Sequence, residues 1–172
     1  MPGQKYLDQG GALQQKAKAI RLVLLDVDGV LTDGRLWIGP EGETVKCFDV
    51  KDGLGLKRLM AEGIDVAWVT GRSSDAVKGR AKELGITEVY QGVSDKKILA
   101  RDLRLKRGLK REEVCAVGDD LPDLGMFEEA GLKVAVANAV REVREQADII
   151  TKNKGGRGAV RELSEWILAI RA

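Results

Sequence analysis

The sequence contains no histidine. That absence removes histidine-based triads and imidazole-ligated metals, so any catalysis falls to Asp, Glu, Lys, Ser or Thr. Cysteine is nearly absent too. Cys47 and Cys115 lie far apart, form neither a metal spacing nor a disulfide framework, and suit a reducing cytoplasm. No apolar run approaches the length of a membrane span, and the stretch from Met1 to Ala19 has no apolar signal core, so no membrane association is expected. Charge of one sign is also lacking. Lys plus Arg is 29 against 27 for Asp plus Glu, a net +2, which gives no electrostatic basis for a nucleic-acid partner. Neither a Walker phosphate loop nor a Gly-x-Gly-x-x-Gly turn follows an expected strand, so nucleotide-dependent chemistry lacks its usual motif. What remains is a 172-residue chain, 44% hydrophobic and 33% charged, with the profile of one globular domain over residues 1–172.

The chain is organised around Leu22-Val23-Leu24-Leu25-Asp26-Val27-Asp28-Gly29-Val30. A short aliphatic run reads as a buried strand, here about 21–26, and it ends in two acids and a glycine. Residues two apart on a strand point the same way, so Asp26 and Asp28 are expected on one side of its tip. Two carboxylates that close resist joint ionisation unless a cation sits between them, and a hard oxygen-seeking ion such as Mg²⁺ fits. An EF-hand loop is excluded, because Val30 takes a ligand position and Leu31 the required glycine.

Residues 1 to about 18 read as a frayed start followed by a short helix from Ala12 to Lys18. Further on, Gly34 to Ile38 and Thr44 to Phe48 flank the turn residues Gly39-Pro40-Glu41-Gly42-Glu43, a hairpin signal over about 34–48. Leu36 and Ile38 point one way and Trp37 the other. A ribbon apolar on both faces needs partners, so the hairpin reads as an oligomer contact or as a flap. After it, helices and strands alternate. A helix is expected from Gly53 to Glu62, a strand over Ile64–Val69, and a helix to Leu84 capped by Ser73 or Ser74, with Val77, Ala81 and Leu84 buried. Next come a strand at Val89-Tyr90, a helix capped by Ser94 carrying Ile98, Leu99 and Leu103, and a strand over Val114–Val117. A helix to Ala130, strands at Lys133–Val136 and Asp148–Ile150, a helix near 140–146, and a final helix with Val160, Leu163, Ile167 and Ile170 on one face complete the pattern.

Such alternation predicts an α/β fold with a doubly wound, Rossmann-like parallel sheet and right-handed crossovers. Ligands in these sheets bind beyond the carboxyl ends of the strands. Three polar clusters fall there: Asp26 and Asp28, Thr70-Gly71, and Gly118-Asp119-Asp120. Thr70-Gly71 offers a hydroxyl and amides for a phosphate, or simply an N-cap. Lys96 stands in the first turn of a helix, where a cation opposes the helix dipole, and such a violation often marks function. Neighbouring Lys97 could take the same role, and periodicity does not choose between them. Together the parts suit phosphoryl transfer, with one carboxylate attacking phosphorus and another moving protons.

In this order, Asp26-Val27-Asp28-Gly29-Val30, Thr70-Gly71-Arg72, Lys96 and Gly118-Asp119-Asp120 resemble the haloacid dehalogenase superfamily of aspartyl phosphatases. Longer pieces resemble its branch of phosphatases for 3-deoxy-D-manno-octulosonate (KDO) 8-phosphate, in lipopolysaccharide precursor synthesis. These are Asp28 to Gly34, Lys51-Asp52-Gly53, Tyr90-Gln91-Gly92 and Gly155 to Glu162. The resemblance covers about residues 20–165. It implies Asp26 as nucleophile and Asp28 as general acid/base, with Thr70 and Lys96 (rather than Lys97) holding the phosphoryl group. Mg²⁺ would be bound by the Asp26 carboxylate, the Asp28 carbonyl and Asp119, supported by Asp120 and Asp123. The sugar acid would meet Asp28, Asp49, Val50, Lys51, Asp52, Gly53, Lys57, Gly71, Arg72, Arg80 and Lys96.

Members of the branch lack a large cap domain and form homotetramers in which the hairpins meet. They commonly carry arginine where Lys51 and Lys57 stand, which weakens bidentate carboxylate recognition here. Many also have a tail beyond the last helix that reaches a neighbouring site; with Ala172 last, tail-assisted closure is not part of the expectation. The alternatives to a KDO 8-phosphate phosphatase are a phosphatase for a nine-carbon keto-sugar acid 9-phosphate or another sugar phosphate, and a catalytically silent tetramerisation module. A signalling receiver would need its acceptor Asp on the third strand, where this chain has Val89-Tyr90-Gln91.

Overall fold

The computed structural model describes residues 11–40 and 42–172. The start expected to be frayed, and Glu41 of the expected turn, lie outside the described residues. The first helix, α1, spans Gly11–Ala19 and leads into β1, Leu22–Leu25, whose four side chains are all buried. This is the expected consequence of an uninterrupted aliphatic run: only a strand covered on both faces can hide it. β1 is flanked by two parallel partners in matching register. Leu22 to Leu25 pair with Asp65 to Trp68 of β4 (Asp65–Val69) on one side and with Val114 to Val117 of β6 (Val114–Gly118) on the other. The sheet extends outward from β4 to β5 (Glu88–Tyr90), and from β6 to β7 (Leu132–Ala135) and β8 (Ile149–Ile150). The order β5-β4-β1-β6-β7-β8 is the doubly wound arrangement, with the chain reversing direction across the sheet on either side of β1.

Helices α2 (Val50–Ala61), α3 (Asp75–Leu84), α4 (Lys96–Lys106), α5 (Leu124–Phe127), α6 (Arg141–Gln146) and α7 (Ala159–Arg171) connect and cover these strands. Their buried stripes are those the spacing predicts: Val77, Ala81 and Leu84 on α3, and Val160, Leu163 and Ile167 on α7, with Ile170 half-buried. Several boundaries differ. Helix α2 begins at Val50 rather than Gly53, because the Asp49 side chain accepts the Lys51 amide at 2.7 Å and starts the helix earlier. The cap of α4 is Asp95, not Ser94; its Oδ1 accepts from the Lys97 and Ile98 amides at 2.9 and 3.0 Å. Of the apolar residues this helix carries, Leu103 is buried and Ile98 is exposed. The helix expected to reach Ala130 is split into a 3-10 turn, Leu121–Asp123, and the short α5, where Pro122 and the Asp120 cap favour the tight turn.

The hairpin consists of β2 (Trp37–Gly39) and β3 (Gly42–Val45), shorter than expected and antiparallel, with an irregular register between Trp37 and Ile38. It forms its own two-stranded sheet and does not join the main one. Phe48 is no part of it: its ring stacks on the buried Trp68 at 6.1 Å and 15°. The exposed apolar residues of the hairpin region are Leu36, Trp37, Ile38 and Val45.

Candidate active site

The loops leaving β1, β4 and β6 converge on a cavity of about 570 Å³ that also reaches the start of α4. Asp26, Asp28, Thr70, Gly71, Arg72, Lys96, Asp119, Asp120 and Asp123, far apart in sequence, all line it. The first loop is folded tightly. Thr32 Oγ1 accepts from the Gly29 amide at 3.3 Å and the Gly34 amide at 3.2 Å, closing the turn after Asp28. Gly29 adopts φ +101°, and a Cβ there would fall 2.0 Å from Asp119 Oδ2. Only glycine lets the β1 loop pass this close to the Asp119 carboxylate.

The carboxylates that converge are Asp26, Asp119 and Asp123, one oxygen of each lying within 4.8 Å of the others. The expectation that the Asp26 and Asp28 carboxylates flank one cation is corrected. The Asp28 carboxylate lies outside this cluster: its Oδ1 pairs with Lys46 Nζ, and its Oδ2 accepts from Thr70 Oγ1 at 3.5 Å. Asp123 instead holds the β6 loop in shape. Its Oδ2 accepts the Asp119 and Asp120 amides at 2.9 and 3.3 Å, and its Oδ1 faces Lys96. Asp120 caps the turn through Leu121 and lines the cavity wall.

Lys96 is the buried cation of the site. Nζ donates to Asp26 Oδ1 at 2.5 Å and Asp123 Oδ1 at 2.6 Å. Burial pulls its pKa down, but the two carboxylates outweigh that and hold the ammonium above its ordinary value. Lys97, the rival by sequence position, is half exposed and pairs with Glu128. Asp26 is pushed up to about 7 by burial and by the Asp123 charge, against the pull of Lys96. Asp119 rises to about 8 through burial and the charges of Asp26, Asp123 and Asp120. Three clustered acids with one ammonium are short of positive charge, and the donors are all hard oxygens. A divalent cation fits this set.

Gly71 and Arg72 reach the cavity, and the Arg72 amide donates to Thr70 Oγ1 at 3.2 Å. The segment from Asp49 to Gly53, with Lys57 and Arg80, does not line it. Asp52 is buried against α7, accepting the Gly158 and Arg161 amides at 3.3 and 2.8 Å. Arg80 lies over Gly53, where a Cβ would meet Nη2 at 2.5 Å, and pairs with Glu83. Residues that the sequence did not single out are Lys46, Thr32 and Asn138, whose Oδ1 accepts the Gly155 amide at 2.8 Å. Lys46 directly follows β3 and carries no spacing signal. Thr32 was within reach, as a threonine three residues after a turn glycine.

A family model described as haloacid dehalogenase-like hydrolase matches residues 86–163. The 3-deoxy-D-manno-octulosonate 8-phosphate phosphatase of Escherichia coli (strain K12) is 47% identical over 153 residues, 89% of this chain and 81% of that one. The chain belongs to the haloacid dehalogenase-like hydrolases. Among solved members, the 3-deoxy-D-manno-octulosonate 8-phosphate phosphatase of Moraxella catarrhalis, determined with magnesium, phosphate and KDO, is 45% identical. It superposes with a TM-score of 0.91 over 95% of this chain and 94% of that one. The cobalt-bound deoxy-D-mannose-octulosonate 8-phosphate phosphatase of Haemophilus influenzae is 40% identical, with a TM-score of 0.88 over 91% of each chain.

Proposed function

We propose that this haloacid dehalogenase-like hydrolase is a Mg²⁺-dependent phosphatase that releases inorganic phosphate from 3-deoxy-D-manno-octulosonate 8-phosphate. The observation that carries the reading is the buried Lys96 bridging Asp26 and Asp123 beside Asp119, in a cavity at the carboxyl ends of the strands. The 45–47% identity with phosphatases of that substrate supports the choice of sugar acid.

In this reading an Asp26 oxygen attacks phosphorus and the bond from phosphorus to the sugar oxygen breaks. Asp28 supplies the proton that the leaving alkoxide takes up. Water then loses a proton to Asp28 and attacks the aspartyl-phosphate, freeing Asp26 and phosphate. Thr70 and Lys96 hold the phosphoryl oxygens. Mg²⁺ would be held by the Asp26 carboxylate, the Asp28 carbonyl and Asp119, with Asp120 and Asp123 in support, and would supply positive charge to the phosphoryl group. Arg72 and Gly71 at the cavity wall meet the sugar acid, and assembly into a homotetramer through the hairpins brings further contacts to each site.

The test is phosphate release from a panel of sugar phosphates, with Mg²⁺ and after dialysis against chelator. Turnover is expected with Mg²⁺ alone and fastest on the eight-carbon substrate. Preference for a nine-carbon keto-sugar acid 9-phosphate would replace the substrate, full turnover in excess EDTA would remove the metal, and no turnover on any member would favour the silent tetramerisation module.

A further inference from the structure

We propose that Lys46 is a positioning residue that fixes the Asp28 carboxylate for proton transfer and so ties the hairpin to the reaction centre. The inference rests on the role of Asp28 given under Proposed function. Lys46 follows β3 directly, at the foot of the hairpin, and its side chain is 1% exposed, whereas the Asp28 side chain keeps 18% of its surface. An ammonium sealed from water in this way needs a charged partner, and its Nζ is bonded to Asp28 Oδ1.

The two oxygens of Asp28 therefore have different surroundings. Oδ1 is capped by Lys46, and Oδ2 faces the Thr70 hydroxyl at 3.5 Å, on the cavity side. Held at one oxygen by an ion pair, the carboxylate has a fixed plane, and Oδ2 is the atom left to meet the leaving group and the attacking water. Asp26, Asp119 and Asp123 need no such device, because Lys96 and the β6 loop hold them. Lys46 does not line the cavity, so it acts through Asp28 and not on the substrate. Since Lys46 rides on the hairpin foot, a displaced hairpin would displace the proton-transfer group.

The experiment uses the full chain with Mg²⁺ and p-nitrophenyl phosphate, a substrate whose leaving group needs little protonation. Lys46→Met should keep a burst of nitrophenolate while its steady-state kcat falls about 10- to 100-fold, less than the roughly 10²- to 10⁴-fold of losing a general acid/base outright, and its KM shifts little. Lys46→Arg should recover most of the rate. If Lys46 acts only through Asp28, then Lys46→Met with Asp28→Asn should be no more than about 2-fold slower than Asp28→Asn alone. Losses that multiply in the double variant, a burst that shrinks in step with turnover, or a wild-type rate in Lys46→Met would each overturn the proposal. Circular dichroism and melting of each variant guard against misfolding; Lys46→Gln carries the same expectations should the methionine variant fail to fold. A wild-type chain with no Mg²⁺-dependent turnover would instead overturn the proposed function, and this inference with it.

Discussion

A methyl group at position 29 would collide with Asp119, so the loops after β1 and β6 share a single space. That interlock makes each acid of the site specific in its duty. Asp26→Asn keeps the size and shape of the side chain and removes its nucleophilicity. We expect it to abolish turnover with an unchanged circular dichroism spectrum; retained activity would mean another group attacks. Asp52 illustrates a different duty. Burial lifts it to about 6 from an ordinary 3.8, beyond what the Arg161 amide offsets. The fold thus binds this proton more tightly than the unfolded chain does. Its contribution is fully present below about pH 4 and is lost as pH rises through 6, by at most about 3 kcal/mol. Urea titrations of wild type and Asp52→Asn should show wild type losing stability relative to the variant from pH 4 to 7. A difference that stays flat, or grows the other way, would show Asp52 to be comfortably ionised at the α7 start.

At the scale of elements, the turn at residues 155–158 buttresses the catalytic loop. A Cβ on Gly155 would lie 1.6 Å from the Gly29 carbonyl oxygen, and the Gly156 amide donates to the Val30 carbonyl at 2.9 Å. Backbone cannot yield as a flexible side-chain tip does. Gly155→Ala should therefore move the loop that carries Asp28, lowering the melting temperature by several degrees, as an overpacking cost of about 1–3 kcal/mol implies. Activity should fall more than stability at 25 °C; a variant with wild-type melting and rate would show that the turn is not a support. The strands were legible in the sequence because their aliphatic runs admit few other structures, and the site was legible because its acids stand at the ends of those runs. The helix starts were less so. Gly53 suggests a start by its poor helix propensity, yet it lies inside α2 against Arg80 and Leu84, and only the folded chain brings residues 53 and 80 together. The same holds for Lys46 and Asp28, eighteen residues apart: the hairpin has a local signal, but the contact of its foot with the β1 loop has none.

For the whole molecule, the parallel sheet accounts for the site and leaves the hairpin unaccounted for. β1 at the sheet centre, with β4 and β6 beside it, forces three loops to one end; the order of strands makes the cavity. The hairpin stands apart as a separate two-stranded sheet, with Trp37 60% and Ile38 63% exposed, and Val50 and Leu54 of α2 are exposed as well. A ribbon of this size with large apolar groups in water is expected to be covered by another copy. Fully burying one such side chain is worth roughly 1.5–3 kcal/mol, and a symmetric assembly repeats the gain at every hairpin. The expectation is a homotetramer joined through the hairpins. Replacing Trp37 with Asp and Ile38 with Lys together should yield smaller species in sedimentation and slower turnover, although neither residue does chemistry. The loss of rate should arise because the hairpin foot carries Lys46, whose hold on Asp28 depends on where the hairpin sits. Sedimentation of a wild-type monomer would remove the assembly, and a double variant of unchanged mass and full activity would remove both the assembly and its link to the site.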